Sequence, residues 1–211
     1  MLLTIAGSSC SGKTTAARAC AEIERLVVHD FDEIGVPAGA NTAWRQRSTE
    51  EWIQRVLRYQ AEGLDVLLTG QSPLGEVLAS PSATALDGIA ACLLDVADRV
   101  RRHRLDNRDP GKWDADAKRS FLGWARWHRG HAVDPRHQPE VITAAGWQSM
   151  RWSRWNTWSA TDRRWTVRII DTTERSVEQT AADVGQWIAG ARVDFAGGQL
   201  SLAAGTWTTA S

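Results

Sequence analysis

Residues 7–14 read Gly-Ser-Ser-Cys-Ser-Gly-Lys-Thr and fill the spacing G-x-x-x-x-G-K-[ST]. No other feature constrains the fold as much, because this pattern works only between a strand and a helix. Both flanks comply. Leu2, Leu3, Thr4, Ile5 and Ala6 form an apolar run suited to a buried parallel strand. After Thr14 the segment TAARACAEI is rich in helix formers, with Ala16, Cys20 and Ile23 spaced to share one face.

The residue types follow from the ligand such a loop takes. A triphosphate needs several donors converging on its oxygens, and successive backbone N–H groups at a helix N-terminus supply them. Glycines let the chain turn and approach the phosphates closely. The segment Gly7, Ser8, Ser9, Cys10, Ser11, Gly12, Lys13, Thr14 and Thr15 is therefore expected to cradle a nucleotide. Lys13 would reach the β- and γ-phosphates and the Thr14 hydroxyl would hold magnesium.

Composition narrows the setting. A chain of 211 residues suits one domain, with room for an inserted subdomain. Lys+Arg and Asp+Glu both total 25, so no global charge points to nucleic acid or an acidic membrane. Cysteines at 10, 20 and 92 are scattered, odd in number and without metal spacing, which implies a reducing, cytoplasmic setting. The Leu2–Ala6 run is too short for a signal peptide or a membrane span.

Leu26 to His29 read as a second strand, closing in Asp30-Phe31-Asp32-Glu33. Ligands of open α/β sheets sit at the carboxyl ends of strands, and carboxylates at i and i+2 on extended chain point the same way. One of Asp30 and Asp32 suits magnesium, the other a substrate hydroxyl; the competing reading is first-turn helix chemistry. Gly35 to Arg47 read as a loop. Ser48 with Glu51 matches a capping box, opening a helix through Gln60. Asp65–Thr69 is a third strand, followed by Gly70, where something can approach closely. It lacks the usual acidic residue at its end, and Asp30 or Asp32 is expected to do that work.

Ile89 to Val96 form a fourth strand. The segment from Asp98 then carries arginines at 99, 101, 102, 104 and 108, with Arg104 and Arg108 on one helical face. It reads either as a lid clamping a migrating phosphoryl group or as a solvated helix. Asp114 to His131 are a further helix. Trp147, Arg151, Trp155 and Trp158 fall at helical steps, as a core stripe or as a stacking wall. His128, His131 and His137 lack the acidic or cysteine partners that would complete a metal site. Trp165 to Ile170 form a fifth strand ending in Asp171-Thr172-Thr173. Ser176 with Gln179 caps a last helix that Gly190 is expected to follow, and the tail from Ala191 is expected to pack loosely.

Five strands alternating with helices, with the glycine loop after the first, resemble the P-loop kinases of small molecules: shikimate and gluconate kinases, chloramphenicol phosphotransferase and the nucleoside-monophosphate kinases. The match rests on residues 7–14, the Asp30-x-Asp32 pair, the Arg-rich segment after the fourth strand, and Ile169-Ile-Asp-Thr-Thr173. The resemblance implies a three-layer α/β P-loop NTPase fold with a five-stranded parallel sheet ordered 2-3-1-4-5 and a helical lid. It implies one kinase-like domain over 1–190, with 98–160 as lid and substrate-side segment, and a tail over 191–211. It also implies Asp30 or Asp32 as substrate-binding base, Arg104 or Arg108 as lid arginines, and Asp171 and Thr172 beside adenine. The Trp-rich stretch 113–158 is longer than such a lid.

The reading that follows is an ATP- and magnesium-dependent kinase of a hydroxylated small molecule such as a sugar, nucleoside or antibiotic. Catalysis would use Lys13, Asp30, Asp32, Arg104 and Arg108, with Thr14 and Asp30 at the metal. Neither nucleic acid nor membrane is an expected partner. The alternative is a nucleotide-binding switch with little turnover, and a third reading is a hydrolase using Gln71. Guanine specificity has no N-K-x-D tetrad to support it.

Overall fold

The computed structural model describes residues 1–108 and 110–207; Asp109 in the Arg-rich segment and residues 208–211 of the tail lie outside that description. Five parallel strands form one sheet in the order β2-β3-β1-β4-β5. They are β1 (Leu2–Ala6), β2 (Leu26–Asp30), β3 (Asp65–Thr69), β4 (Ile89–Asp95) and β5 (Val167–Asp171). All five residues of β1 are buried, as a central strand covered on both faces requires. Alternation along it divides the core. Leu3 and Ile5 join Ala16, Ala17, Leu94, Val184 and Ile188 on one face, while Leu2 faces Trp52, Val56, Val77 and Leu78 on the other.

The helices are α1 (Lys13–Arg18), α2 (Thr42–Ala61), α3 (Leu74–Ala79), α4 (Asp98–Arg108), α5 (Ala115–Val133), α6 (Glu140–Thr143) and α7 (Val177–Ala196). α1 is shorter than its composition suggests, ending at Arg18 with Cys20 and Ile23 carried into the core by turns. α2 corrects the sequence reading. It starts at Thr42, where Asn41 accepts from the Trp44 amide at 2.9 Å, so the loop after Gly35 stops at Ala40. Ser48 is buried in mid-helix and caps nothing. α7 likewise runs through Gly190 to Ala196, and the chain beyond it returns to the sheet. The Ile89 amide donates to the Leu202 carbonyl at 3.1 Å, and Leu202 and Trp207 are buried.

The segment 147–158 is not a helix. Its only helical turn is a 3-10 turn at Trp152–Arg154, and it is pinned instead by polar contacts to α3. Trp155 Nε1 donates to the Gly75 carbonyl at 2.8 Å, and Arg154 donates to the Leu78, Ser80 and Pro81 carbonyls. Trp155 and Trp158 join Trp127 and Trp165 in the core on the α2 side of the sheet. Trp155 and three other buried rings bring their N–H groups to acceptors, which is what makes such burial favourable. Trp127 reaches Gln138, Trp165 reaches His131 and Trp52 reaches Phe31. Among the described residues no helix is long and apolar enough to cross a membrane.

Candidate active site

The carboxyl ends of β1, β2 and β3 and the N-termini of α1 and α7 surround a cavity of about 840 Å³. Of the residues singled out from sequence, Ser9 through Thr15, Asp30, Asp32, Arg104, Arg108 and Thr172 line it. Gly7, Ser8 and Asp171 do not. Gly7 is needed for packing: at φ +149° an added Cβ would stand 2.3 Å from the Leu94 carbonyl oxygen. Ser8 is buried and its hydroxyl donates to the Phe121 carbonyl of α5 at 2.8 Å. The Asp171 carboxylate accepts from the Thr173 amide at 2.9 Å.

Cys10 has φ +63° and Gly12 has φ +93°, both in the left-handed region that occurs in anion-binding backbone nests. Each of four consecutive carbonyls meets a side-chain donor. Lys13 Nζ donates to Ser8 at 3.2 Å, Arg101 Nη1 to Ser9 at 2.5 Å, Arg104 Nη1 to Cys10 at 3.3 Å and Thr172 Oγ1 to Ser11 at 3.1 Å. Arg104 also donates to the Thr172 carbonyl at 3.0 Å, so the start of α7's connection and α4 hold the loop together.

Beside the Thr14 end of the loop stands Asp30. Its Oδ2 accepts from Thr14 Oγ1 at 2.6 Å and from Thr69 Oγ1 at 3.2 Å. The β2–β3 register places Asp30 beside Thr69, so a carboxylate stands next to the end of β3 although that end supplies none of its own. Asp30 also caps the 3-10 turn Phe31–Ile34, accepting from the Asp32 amide, so the helix-start reading of this acid pair holds, and both carboxylates line the cavity as well. These hydroxyl and carboxylate oxygens are the donor set a hard divalent cation takes. Desolvation and the neighbouring Asp30 raise the Asp32 carboxyl above its ordinary range, against the pull of Lys13 and Arg108. Burial, then repulsion from Arg101, lowers Lys13 to about 8.

Gly70, expected to admit a close approach, admits the Phe31 ring: a Cβ there would lie 2.9 Å from Phe31 Cβ. Gln71, Asn107, Arg175, Ser176, Val177 and Thr180 also line the cavity. The last four lie just before and along the first turn of α7, which the Ser176–Gln179 capping box had located. Among the described residues no group of three or more His, Cys, Asp or Glu side chains is placed to hold a metal ion.

No protein-family model and no curated protein matches the chain. Solved structures do. A sugar kinase from Janibacter superposes over 89% of this chain and 94% of its own, with TM-score 0.60 and 15% identity. A gluconokinase from Sinorhizobium meliloti covers 93% and 95%, with TM-score 0.54 and 13% identity. Thymidylate kinase from Candida albicans covers 90% and 92%, with TM-score 0.52 and 10% identity. The chain has the P-loop kinase fold.

Proposed function

We propose that the protein is an ATP- and magnesium-dependent kinase that phosphorylates a hydroxyl of a small molecule. One observation carries this reading: the cavity lined by the phosphate loop and Lys13 is also lined by the Asp32 carboxylate, close enough for the two charges to act on each other. A carboxyl pKa above its ordinary range makes Asp32 a stronger base towards an alcohol proton. A fold shared with a sugar kinase and a gluconokinase is compatible with an acceptor of that class.

In this mechanism the amides of the loop and Lys13 bind the β- and γ-phosphates of ATP and fix them in line with the acceptor. Thr14 and Asp30 would hold magnesium, whose chemistry is to neutralise charge on the phosphate oxygens. Asp32 orients the acceptor hydroxyl and takes its proton. The acceptor oxygen forms its bond to the γ-phosphorus as the bond to the β,γ-bridging oxygen breaks, leaving ADP. Arg104 and Arg108 place positive charge where negative charge spreads in the transition state. The switch reading draws on the missing acid after β3; the pairing of Asp30 with Thr69 supports Asp30 as the carboxylate that does that work.

The test is ATP consumption with magnesium against sugars, nucleosides, aminoglycosides and other hydroxylated antibiotics, with products read by mass. A product one phosphate heavier from one class, abolished in Lys13→Ala, is the expected result. ADP and free phosphate with no phosphorylated acceptor would favour the hydrolase reading and Gln71.

A further inference from the structure

Arg101 is fully buried, lies outside the cavity's lining, and yet touches the phosphate loop. Its Nη1 donates to the Ser9 carbonyl at 2.5 Å and its Nη2 to Asp95 Oδ1 at 2.6 Å. The other Asp95 oxygen meets Arg129 Nε of α5 at 2.5 Å, and Arg129 also pairs with Asp98 at the start of α4. A chain of charges thus runs from α5 through the end of β4 to one peptide of the loop.

In a planar trans peptide the C=O and N–H point in opposite directions. The Ser9 carbonyl shares its peptide with the Cys10 N–H. Holding that oxygen on a group buried behind the loop aims the Cys10 amide at the cavity. The same peptide leads into the left-handed turn at Cys10, a conformation a non-glycine residue holds only where its surroundings fix it. A guanidinium in the interior is itself costly unless paired, which Asp95 provides.

We propose that Arg101 is a positioning residue for phosphate binding: anchored by Asp95, it sets the Ser9–Cys10 peptide so that the Cys10 amide faces the nucleotide phosphates. This rests on the nucleotide-site reading above. Arg101 touches no phosphate; it acts through the backbone.

Equilibrium dialysis with radiolabelled ATP and magnesium tests it on the full chain, with melting temperature measured alongside. Arg101→Met is expected to weaken ATP binding at least tenfold. Arg101→Lys, which retains the charge and a donor for the Ser9 oxygen, is expected to recover at least threefold of that loss. Asp95→Asn leaves the guanidinium in place but loosens its anchor, and a loss of three- to tenfold is expected, which keeps the test open if Arg101→Met does not fold. ATP affinity within twofold of the parent in Arg101→Met overturns the proposal while leaving the nucleotide site intact. Equal losses in the lysine and methionine variants, tracking melting temperature, also overturn it. Absence of ATP binding by the parent protein overturns the nucleotide reading, and this proposal with it.

Discussion

Thr14 Oγ1 donates to Asp30 Oδ2 across 2.6 Å, tying the first residue pair of α1 to the end of β2. Asp32 lines the same cavity with its carboxyl raised above the ordinary range, and in the proposed mechanism it is the base while Asp30 stands at the metal. Asp32→Asn is expected to lower turnover by 10²-fold or more while ATP affinity stays within about twofold, the signature of a lost general base. Asp30→Asn keeps the cap on the following turn and is expected instead to raise the magnesium concentration needed for half-maximal activity. Steady-state kinetics across a magnesium titration separate the two. Equal turnover losses with unchanged magnesium demand would contradict the assignment.

Glu76 is wholly buried, with both carboxylate oxygens held by Arg45 at 2.7 and 2.8 Å and a third donor, Gln46 Nε2, at 2.9 Å. Arg45 in turn lies over the Trp124 ring, 4.9 Å from its centroid. Breaking such a pair on one side leaves an uncompensated interior charge. Glu76→Gln should destabilise the fold by about 3 kcal/mol. The double variant Arg45→Met with Glu76→Leu should regain most of it. Urea unfolding midpoints of the three proteins check this, and a double variant weaker than the single would refute it.

His131 is stacked on Trp127 at 4.6 Å with Trp155 and Trp165 at its edges, and neither ring nitrogen has a partner among the described residues. Burial lowers it from 6.5 to about 4. The unfolded chain therefore takes up this proton first as pH falls. Stability is complete above about pH 6.5 and declines towards pH 4, by roughly 3 kcal/mol from this ring. His128, buried beside Arg45 and Lys13, shifts in the same direction. His131→Phe should flatten the slope of unfolding free energy between pH 4 and 6.5. An unchanged slope would show that the ring does not titrate in that window.

The phosphate loop and the sheet were legible because both rest on local pattern: fixed glycine spacing and five short apolar runs. The start of α2 was not, since S-x-x-E also occurs inside helices, and only burial shows that Ser48 caps nothing. Steps of four, four and three from Trp147 to Trp158 imitate a helix, whereas the segment is set by long-range bonds from Trp155 and Arg154 to α3. Arg101 was hidden among four neighbouring arginines, because sequence does not tell a buried guanidinium from a solvated one. Its partner Asp95 closes β4 without any motif to mark it. Asp171 stood at the right strand end, but the cavity is bordered by Thr172 and the first turn of α7 instead.

Calorimetric titration of the protein and of Lys13→Ala with ATP and magnesium tests the phosphate site most directly. One saturable site is expected, weakened about ten- to a hundredfold in the variant by loss of charge-assisted bonds to the phosphates. No saturable heat at millimolar ATP, or equal affinity in the two proteins, would contradict it.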